Sequence, residues 1–345
     1  VVTEGLLMMR MAAAIGVTVA LLYALYGVAA ANFGGRADVA AYIDQLTVQQ
    51  GFSRDELAKL FNDAERKQGI LDAIARPAEK TKPWSEYRDI FVTDARIAQG
   101  VEFWRENAAV LARAQQDYAV PPAIIVAIIG VETRFGRNTG SYRVLDALTT
   151  LAFDYPPRSD FFRGELTQFL LLAREEGIDP RVPVGSYAGA MGYGQFIPSS
   201  FRSYAVDFDG DGKRNIWTSP QDAIGSVANY FRRHGWTADG AVVEPASIDG
   251  PRADTVANEG LNLAYTVGQL RALGVKVDGV PDAAEAGLYR MDGRTGYEYW
   301  VGLHNFYVIT RYNHSSMYAL AVHQLGEAIA AAHAADVAPV EAAAR

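Results

Sequence analysis

Glu132 closes an almost wholly apolar run, AIIVAIIGVE, and is followed by TRFG. A carboxyl held against apolar side chains loses hydration, which disfavours its charged form and raises its pKa. That is the state required of a general acid protonating an ether oxygen near neutral pH. Arg134 and Arg137 follow closely, so the same residue also reads as a carboxylate neutralised at a helix end.

A second cluster lies in DFDGDGKRNIW. Asp207, Asp209 and Asp211 take positions 1, 3 and 5 of a loop with Gly212 at position 6, and Lys213 offers a backbone carbonyl from position 7. This is the oxygen-ligand spacing of an EF-hand calcium loop. Position 12 is Thr218 rather than Glu, and Asp222 is the nearest carboxylate that would close the sphere. The bound ion would be structural, since no nucleophile stands beside the loop. An acidic Asp/Gly surface turn has the same composition.

Two further strings are rich in polar and aromatic groups. GSYAGAMGYGQFIPSS lacks the Gly-Lys-Ser/Thr of a phosphate loop. Its glycines, interleaved with Ser186, Tyr187, Met191, Tyr193 and Gln195, suit close backbone approach to a neutral polar ligand, or a tight loop packing its rings into a core. TRYNHSSMYA carries Tyr312, Asn313, His314 and Tyr318. No second histidine stands at ligand spacing from His314. There is no G-x-S-x-G elbow, and Ser186 has no identifiable His/Asp partners.

The elements that must position these groups are mostly helical. Pro121-Pro122 suits a first turn, and the apolar run behind it is too hydrophobic for a surface helix, so it belongs at the centre of the fold. Residues 38–69 read as short helices, one opened by Ser53 with Glu56 as capping-box partner and Leu57, Leu60 and Phe61 at helical spacing. Residues 80–87 read as a loop around Pro83, 94–118 as one long helix, 161–176 as a helix stopped by Gly177, and 221–234 as another. Short β-type runs follow at 242–243, 265–267, 275–277, 288–291 and 297–301, set among Gly, Pro and Asp. Helix returns over 315–332, with a frayed Ala-rich end. The expected class is α+β, predominantly α.

The 345 residues suggest two or three compact units, and half are hydrophobic. With 32 Lys+Arg against 40 Asp+Glu, the charge of −8 argues against a general nucleic-acid binder. The absence of cysteine excludes disulfides, thiolate zinc sites, cysteine nucleophiles and a lipidated N-terminal cysteine. Residues 11–31 carry no charge, follow Arg10 and end in Ala29-Ala30-Ala31, the pattern of a secretory signal peptide. The stretch is also long enough for an uncleaved membrane anchor, and either reading exports the chain. Val1 stands where an initiator is expected, with Met8 or Met9 the better candidate start. Glu4 and Arg10 cancel, so the mature chain would keep its charge.

Taken together, IIGVETRFG, GSYAGAMGYGQFIPSS, the DFDGDG loop, DAIGSVANYF followed by HGW, and TRYNHSSMYA resemble the membrane-bound lytic murein transglycosylase B family of glycoside hydrolases (family 103), in the family's order and across residues 38–333. The resemblance implies a lysozyme-like core at 113–236 and 302–333 with an EF-hand-like loop at 207–222. It also implies a helical N-terminal domain at 32–112, a small β subdomain at 237–301 and a flexible tail at 334–345. It implies cleavage of the MurNAc–GlcNAc β-1,4 bond of peptidoglycan without water. Glu132 would protonate the leaving oxygen, then act as base on the sugar's own C6 hydroxyl to leave a 1,6-anhydro end. One carboxyl in both roles is sensible when the nucleophile is intramolecular, and no second catalytic carboxylate is then required.

Ser186, Gln195, Tyr87, Tyr230, Asn313 and Tyr318 carry over as sugar-binding residues. Asp207, Asp209, Asp211, the Lys213 carbonyl and Asp222 carry over as ligands of a structural calcium, with no cofactor for catalysis. The implied partners are peptidoglycan glycan strands and other cell-wall enzymes, not nucleic acid, in the periplasm, with membrane contact only through an uncleaved N-terminal segment. Two departures stand out. The stretch between Trp217 and Asp222 is one residue longer than the family form, and Pro157 stands where a basic residue is expected beside Arg158. A hydrolytic muramidase and an inactive peptidoglycan-binding scaffold are the competing readings.

Overall fold

In the computed structural model of the chain, residues 33–75 and 82–343 are described, with side chains to residue 336; the expected signal or anchor at 11–31 lies outside them. Helix α1 (Ala37–Gln50) stops at Gly51, whose left-handed φ of 68° costs a glycine little. In α2 (Arg54–Asp63) the Ser53 hydroxyl accepts the Glu56 N–H at 3.4 Å, and Leu57, Leu60 and Phe61 form the buried face. After α3 (Gln68–Ile74) comes α4 (Trp84–Phe91), which corrects the loop expected at 80–87. Pro83 is extended and ends the loop, while Trp84 and Tyr87, three apart, turn both rings inward. Burying two aromatic rings outweighs the loop signal of Lys, Pro and Ser.

The long helix expected over 94–118 is two helices, α5 (Asp94–Glu106) and α6 (Ala108–Tyr118). Asn107 breaks it: its backbone leaves the helical region at φ −114°, ψ 20°, while its side-chain amide donates to Phe103 O at 2.9 Å. Helix α7 (Pro122–Thr133) has proline in its first turn and is buried from Ile124 to Val131. Each fully covered isoleucine there contributes roughly 1.5–3 kcal/mol of hydrophobic stabilisation.

β1 (Tyr142–Arg143) leads into α8 (Val144–Asp154), then a 3₁₀ turn at Pro156–Arg158 and α9 (Ser159–Glu176), which stops at left-handed Gly177. β2 (Val184–Gly185) pairs antiparallel with β1, and α10 (Pro198–Tyr204) and α11 (Pro220–Arg233) follow. A five-stranded antiparallel sheet is then built from β3 (Val243–Ile248), β4 (Tyr265–Thr266), β5 (Val275–Lys276), β6 (Glu285–Asp292) and β7 (Tyr297–Gly302), in the order β4-β6-β7-β3-β5. Two short helices, α12 (Pro251–Asp254) and α13 (Val267–Ala272), cover its small core.

Helix α14 (His304–Tyr312) precedes α15 (Ser316–Ala343), which continues past residue 332 through most of the expected tail. α15 packs on α7, and a Cβ at Gly326 would stand 3.1 Å from Ala123 O, so the small residue permits the close crossing. One core gathers α7 with parts of α6, α11, α14 and α15; a second joins α1 and α2 to α8 and α9. The class is α+β, mostly α. Among the described residues no single helix is long and apolar enough to cross a membrane.

Candidate active site

Glu132 lies half-buried in the last turn of α7. Tyr318, in the first turn of α15, donates its hydroxyl to Glu132 Oε1 at 2.6 Å. The Tyr318 ring is buried, 2% exposed. Burial first, and then the Glu132 charge, push its hydroxyl pKa far above the ordinary 10, so it stays a donor. Tyr312 and Tyr87 press on the same hydroxyl electrostatically. Tyr312 gives its own hydroxyl to Gly194 O at 2.5 Å, which ties the glycine-rich loop to this cluster. A carboxyl with one oxygen held by a buried phenol has a fixed orientation, as a group that must meet a reacting oxygen requires.

Thr133, next to Glu132, was not anticipated. Its buried hydroxyl shares a proton between Ile129 O (3.1 Å) and Tyr193 O (2.9 Å) and accepts the Gly136 N–H at 3.0 Å. It thereby fastens the end of α7 to the glycine-rich loop. It also closes the left-handed turn through Arg134, Phe135 and Gly136, at φ 52°, 61° and 82°. The only sequence signal was its place inside GVETRFG.

In the glycine-rich loop, Ser186 Oγ accepts the N–H groups of Ala188 (3.3 Å) and Ala190 (3.1 Å), leaving its proton to give. Gln195 takes a left-handed φ of 51° and donates Nε2 to Gly192 O (3.0 Å) and Thr139 O (3.2 Å), so its amide oxygen is the group left to accept. Gly192 is required there: at φ 67°, a Cβ would fall 2.3 Å from Ile216 O.

Tyr230, on α11, gives its hydroxyl to Arg311 O at 2.6 Å and stacks on His234 with ring centres 3.9 Å apart. It offers a ring face rather than the hydroxyl that a sugar-binding tyrosine suggests. Gln195, Tyr230, Tyr312 and His314, with Arg158 and Phe162, line a cleft of about 370 Å³. A second cleft, about 580 Å³, is walled by Trp84, Asn258, Met291, Asp292, Ser316 and Met317. Segment 312–318 thus lines one cleft with Tyr312 and His314 and the other with Ser316 and Met317. Asn313, half-buried between them, is extended and ends α14. The walls contributed by the sheet, Met291 and Asp292, were absent from the sequence reading.

At the acidic loop, carboxylate oxygens of Asp207, Asp209 and Asp211 converge within 4.8 Å of one another. Asp207 also accepts the N–H groups of Gly210, Asp211 and Gly212 at 2.7, 3.1 and 2.8 Å, and Lys213 donates its N–H to Asp211 Oδ1 at 2.9 Å. Hard oxygen donors packed this closely fit a calcium ion.

Asp222 is not among the three converging carboxylates. It is fully buried; Oδ1 accepts the N–H of Phe208 (2.7 Å) and of Asp209 (3.2 Å), and Oδ2 accepts that of Asn215 (2.7 Å). Burial pushes its pKa up and these three bonds oppose the shift. The longer connection is taken up locally: Thr218 N–H joins a turn on Asn215 Oδ1, the Ser219 hydroxyl caps Asp222 N, and Asp222 faces the loop's backbone. Arg113 anchors the loop from α6, its guanidinium 3.5 Å from the centre of the Phe208 ring.

Residues 34–327 match the family model described as the transglycosylase SLT domain. The chain is 47% identical over 311 residues to membrane-bound lytic murein transglycosylase B of Escherichia coli (strain K12), covering 87% of this chain and 85% of that protein. It is similar in structure to the catenated lytic transglycosylase SltB1 from Pseudomonas aeruginosa, with a TM-score of 0.85 and 57% identity over 88% of this chain and all (100%) of that one. The Escherichia coli lytic transglycosylase Slt35 in complex with calcium matches with a TM-score of 0.80 and 47% identity, covering 88% and 95% of the two chains. SltB3 from Pseudomonas aeruginosa in complex with NAG-anhNAM-pentapeptide matches with a TM-score of 0.74 and 32% identity over 84% of this chain and 78% of that one.

Proposed function

The chain belongs to the transglycosylase SLT domain family and is a lytic transglycosylase, and from that premise we propose that it cleaves the MurNAc–GlcNAc β-1,4 bond of peptidoglycan without water, with Glu132 as general acid and then general base. The observation that carries the reading is the Glu132–Tyr318 hydrogen bond at 2.6 Å, adjoining in sequence the segment 312–317 that lines two clefts. The first step needs the protonated carboxyl, the form that donates. Glu132 gives its proton to the glycosidic oxygen as the C1–O bond breaks. The resulting carboxylate takes the proton of the same sugar's C6 hydroxyl as that oxygen bonds to C1. Proton count is conserved, no water enters, and the product is a 1,6-anhydro end. The relative that binds a NAG-anhNAM-pentapeptide supports this product.

Tyr318 holds the carboxyl's orientation through both steps. Gln195 through its amide oxygen, Ser186 through its hydroxyl and Tyr230 through its ring face suit the polar edges and apolar faces of sugars, with Tyr87 and Asn313 as further sugar-binding groups. Asp207, Asp209 and Asp211, with the Lys213 carbonyl, would hold a structural calcium ion, a reading supported by the relative solved with calcium. The place of action is the periplasm, reached by the export segment at 11–31, cleaved or retained as an anchor.

Mass spectrometry of products from purified peptidoglycan tests the reaction. Muropeptides lighter than hydrolysis products by one water, on the order of 18 Da, are expected from intramolecular attack. Reducing ends would establish a muramidase. Sacculus binding with no products would establish a scaffold.

A further inference from the structure

Arg96 belongs to the first turn of α5, where the Thr93 hydroxyl accepts its backbone N–H at 3.2 Å, but its side chain serves other helices. Nη1 donates to Gly130 O at 2.6 Å and Nη2 donates to Ile90 O at 3.3 Å. Gly130 lies in the last turn of α7, two residues before Glu132, and Ile90 in the last turn of α4, three after Tyr87. One planar fork therefore spans the C-terminal ends of the two helices that carry Glu132 and Tyr87.

Most of the half-buried arginines elsewhere, such as Arg36, Arg143 and Arg214, face carboxylates; the hydrogen bonds of the Arg96 guanidinium go to main-chain carbonyls. Its ring neighbour is Phe91, 5.6 Å from the guanidinium carbon, and the charge that bears on it most is Arg134, which repels. A half-buried cation with no acidic partner costs free energy. The two helix ends repay part of that cost, because their carbonyls carry partial negative charge; Gly130 O accepts the guanidinium beside the Arg134 cap N–H at 3.1 Å. Lysine would not replace it, since a single ammonium on a flexible stem lacks the fork.

We propose that Arg96 is a positioning residue for the lytic reaction: it locks α4 to α7 so that Tyr87 and Glu132 keep their relation, and it places a positive charge at the end of the catalytic helix. The inference rests on the reading of Glu132 as the acid–base. Tyr318 from α15, Tyr312 from α14 and Tyr87 from α4 gather at Glu132, and Arg134 follows it in the chain. Burial holds Tyr318 and Tyr312 neutral, so Arg96 and Arg134 are the cations set at this helix end.

The test compares the full chain with Arg96→Met, Arg96→Lys and Glu132→Gln on purified peptidoglycan, reading kcat, KM, Tm and the pH profile of kcat/KM. Arg96→Met is expected to lower kcat roughly tenfold with KM changed less than about threefold. Loss of the charge favours protonated Glu132, so the alkaline limb moves to higher pH. Arg96→Lys is expected to return that limb to its wild-type position while kcat stays depressed. Wild-type kcat and pH profile in Arg96→Met, beside an inactive Glu132→Gln, would overturn the inference alone. So would a loss that tracks a lowered Tm with the limb unmoved, which is a brace and nothing more. If Arg96→Met does not fold, Arg96→Lys decides: wild-type kcat overturns the proposal and depressed kcat at wild-type Tm supports it. Turnover retained in Glu132→Gln would instead remove the premise.

Discussion

Tyr318 and Glu132 stand 186 residues apart in sequence, yet the phenol hydroxyl donates to the carboxyl oxygen over 2.6 Å. The bond joins α7 to the first turn of α15, where the neighbouring Ser316 and Met317 line one of the clefts. Removing only the hydroxyl separates orientation from packing. Tyr318→Phe keeps the buried ring, so Tm should change little, while kcat should fall by roughly tenfold to a hundredfold as the carboxyl loses its fixed pose. Steady-state kinetics beside a melting curve checks this, and an unchanged kcat would remove the orienting role from Tyr318.

Glu132→Gln keeps the shape and an oxygen that accepts the Tyr318 proton, but it has no acidic proton to give. Turnover of peptidoglycan should be abolished while sacculus pelleting shows binding close to wild type. Residual cleavage at the wild-type rate would mean that another group supplies the proton.

At the acidic loop the two kinds of aspartate should separate in a melting experiment. Asp222→Asn turns an amide donor toward backbone N–H groups that the carboxylate accepted, in a fully buried site. The expected loss is about 1–3 kcal/mol, with or without calcium. Asp211→Ala should leave the calcium-free Tm nearly unchanged and remove the rise in Tm that added calcium brings. If Asp222→Asn lost only the calcium-dependent part, Asp222 would be a ligand after all.

Legibility from sequence divides along physical lines. The centre of the fold was readable because AIIVAIIGV is too apolar for anywhere else, and the strands because β-type runs alternate with Gly, Pro and Asp. Helix α8 was missed although Val144, Leu145, Leu148, Leu151 and Ala152 fall at helical spacing: its polar face, Asp146, Thr149 and Thr150, is buried as well, which spacing does not report. The break at Asn107 hides inside continuous periodicity, and it takes one side-chain bond to Phe103 O to make it. Glu132, Gln195 and Tyr318 were singled out by their motifs. Thr133 and Arg96 were not, because what matters about them is a partner 60 or 34 residues away, which spacing along the chain does not report. Spacing put Asp222 near the acidic loop but did not report that its oxygens accept three of the loop's backbone N–H groups.

Acid should weaken the fold first through histidine rather than carboxylate. His234, stacked on Tyr230 with its Nδ1 2.7 Å from Tyr230 O, has its pKa pushed below 6.5, chiefly by burial. His323, in α15 with Nδ1 buried and without a hydrogen-bond partner, shifts the same way for the same reason. In the unfolded chain both bind a proton near pH 6.5, while the folded chain resists until lower pH. Their neutral burial therefore adds full stability above the unfolded value. That contribution shrinks as pH falls through about 6.5 and is gone below the folded values. The carboxylates held low by arginine, such as Glu175 beside Arg202, lose their contribution only in a more acidic window, below about pH 4.5. Tm should accordingly fall between pH 7.5 and 5.5, and His323→Leu should flatten part of that slope. A Tm that rises toward pH 5.5 in the wild-type chain would mean that neither imidazole is kept neutral by the fold.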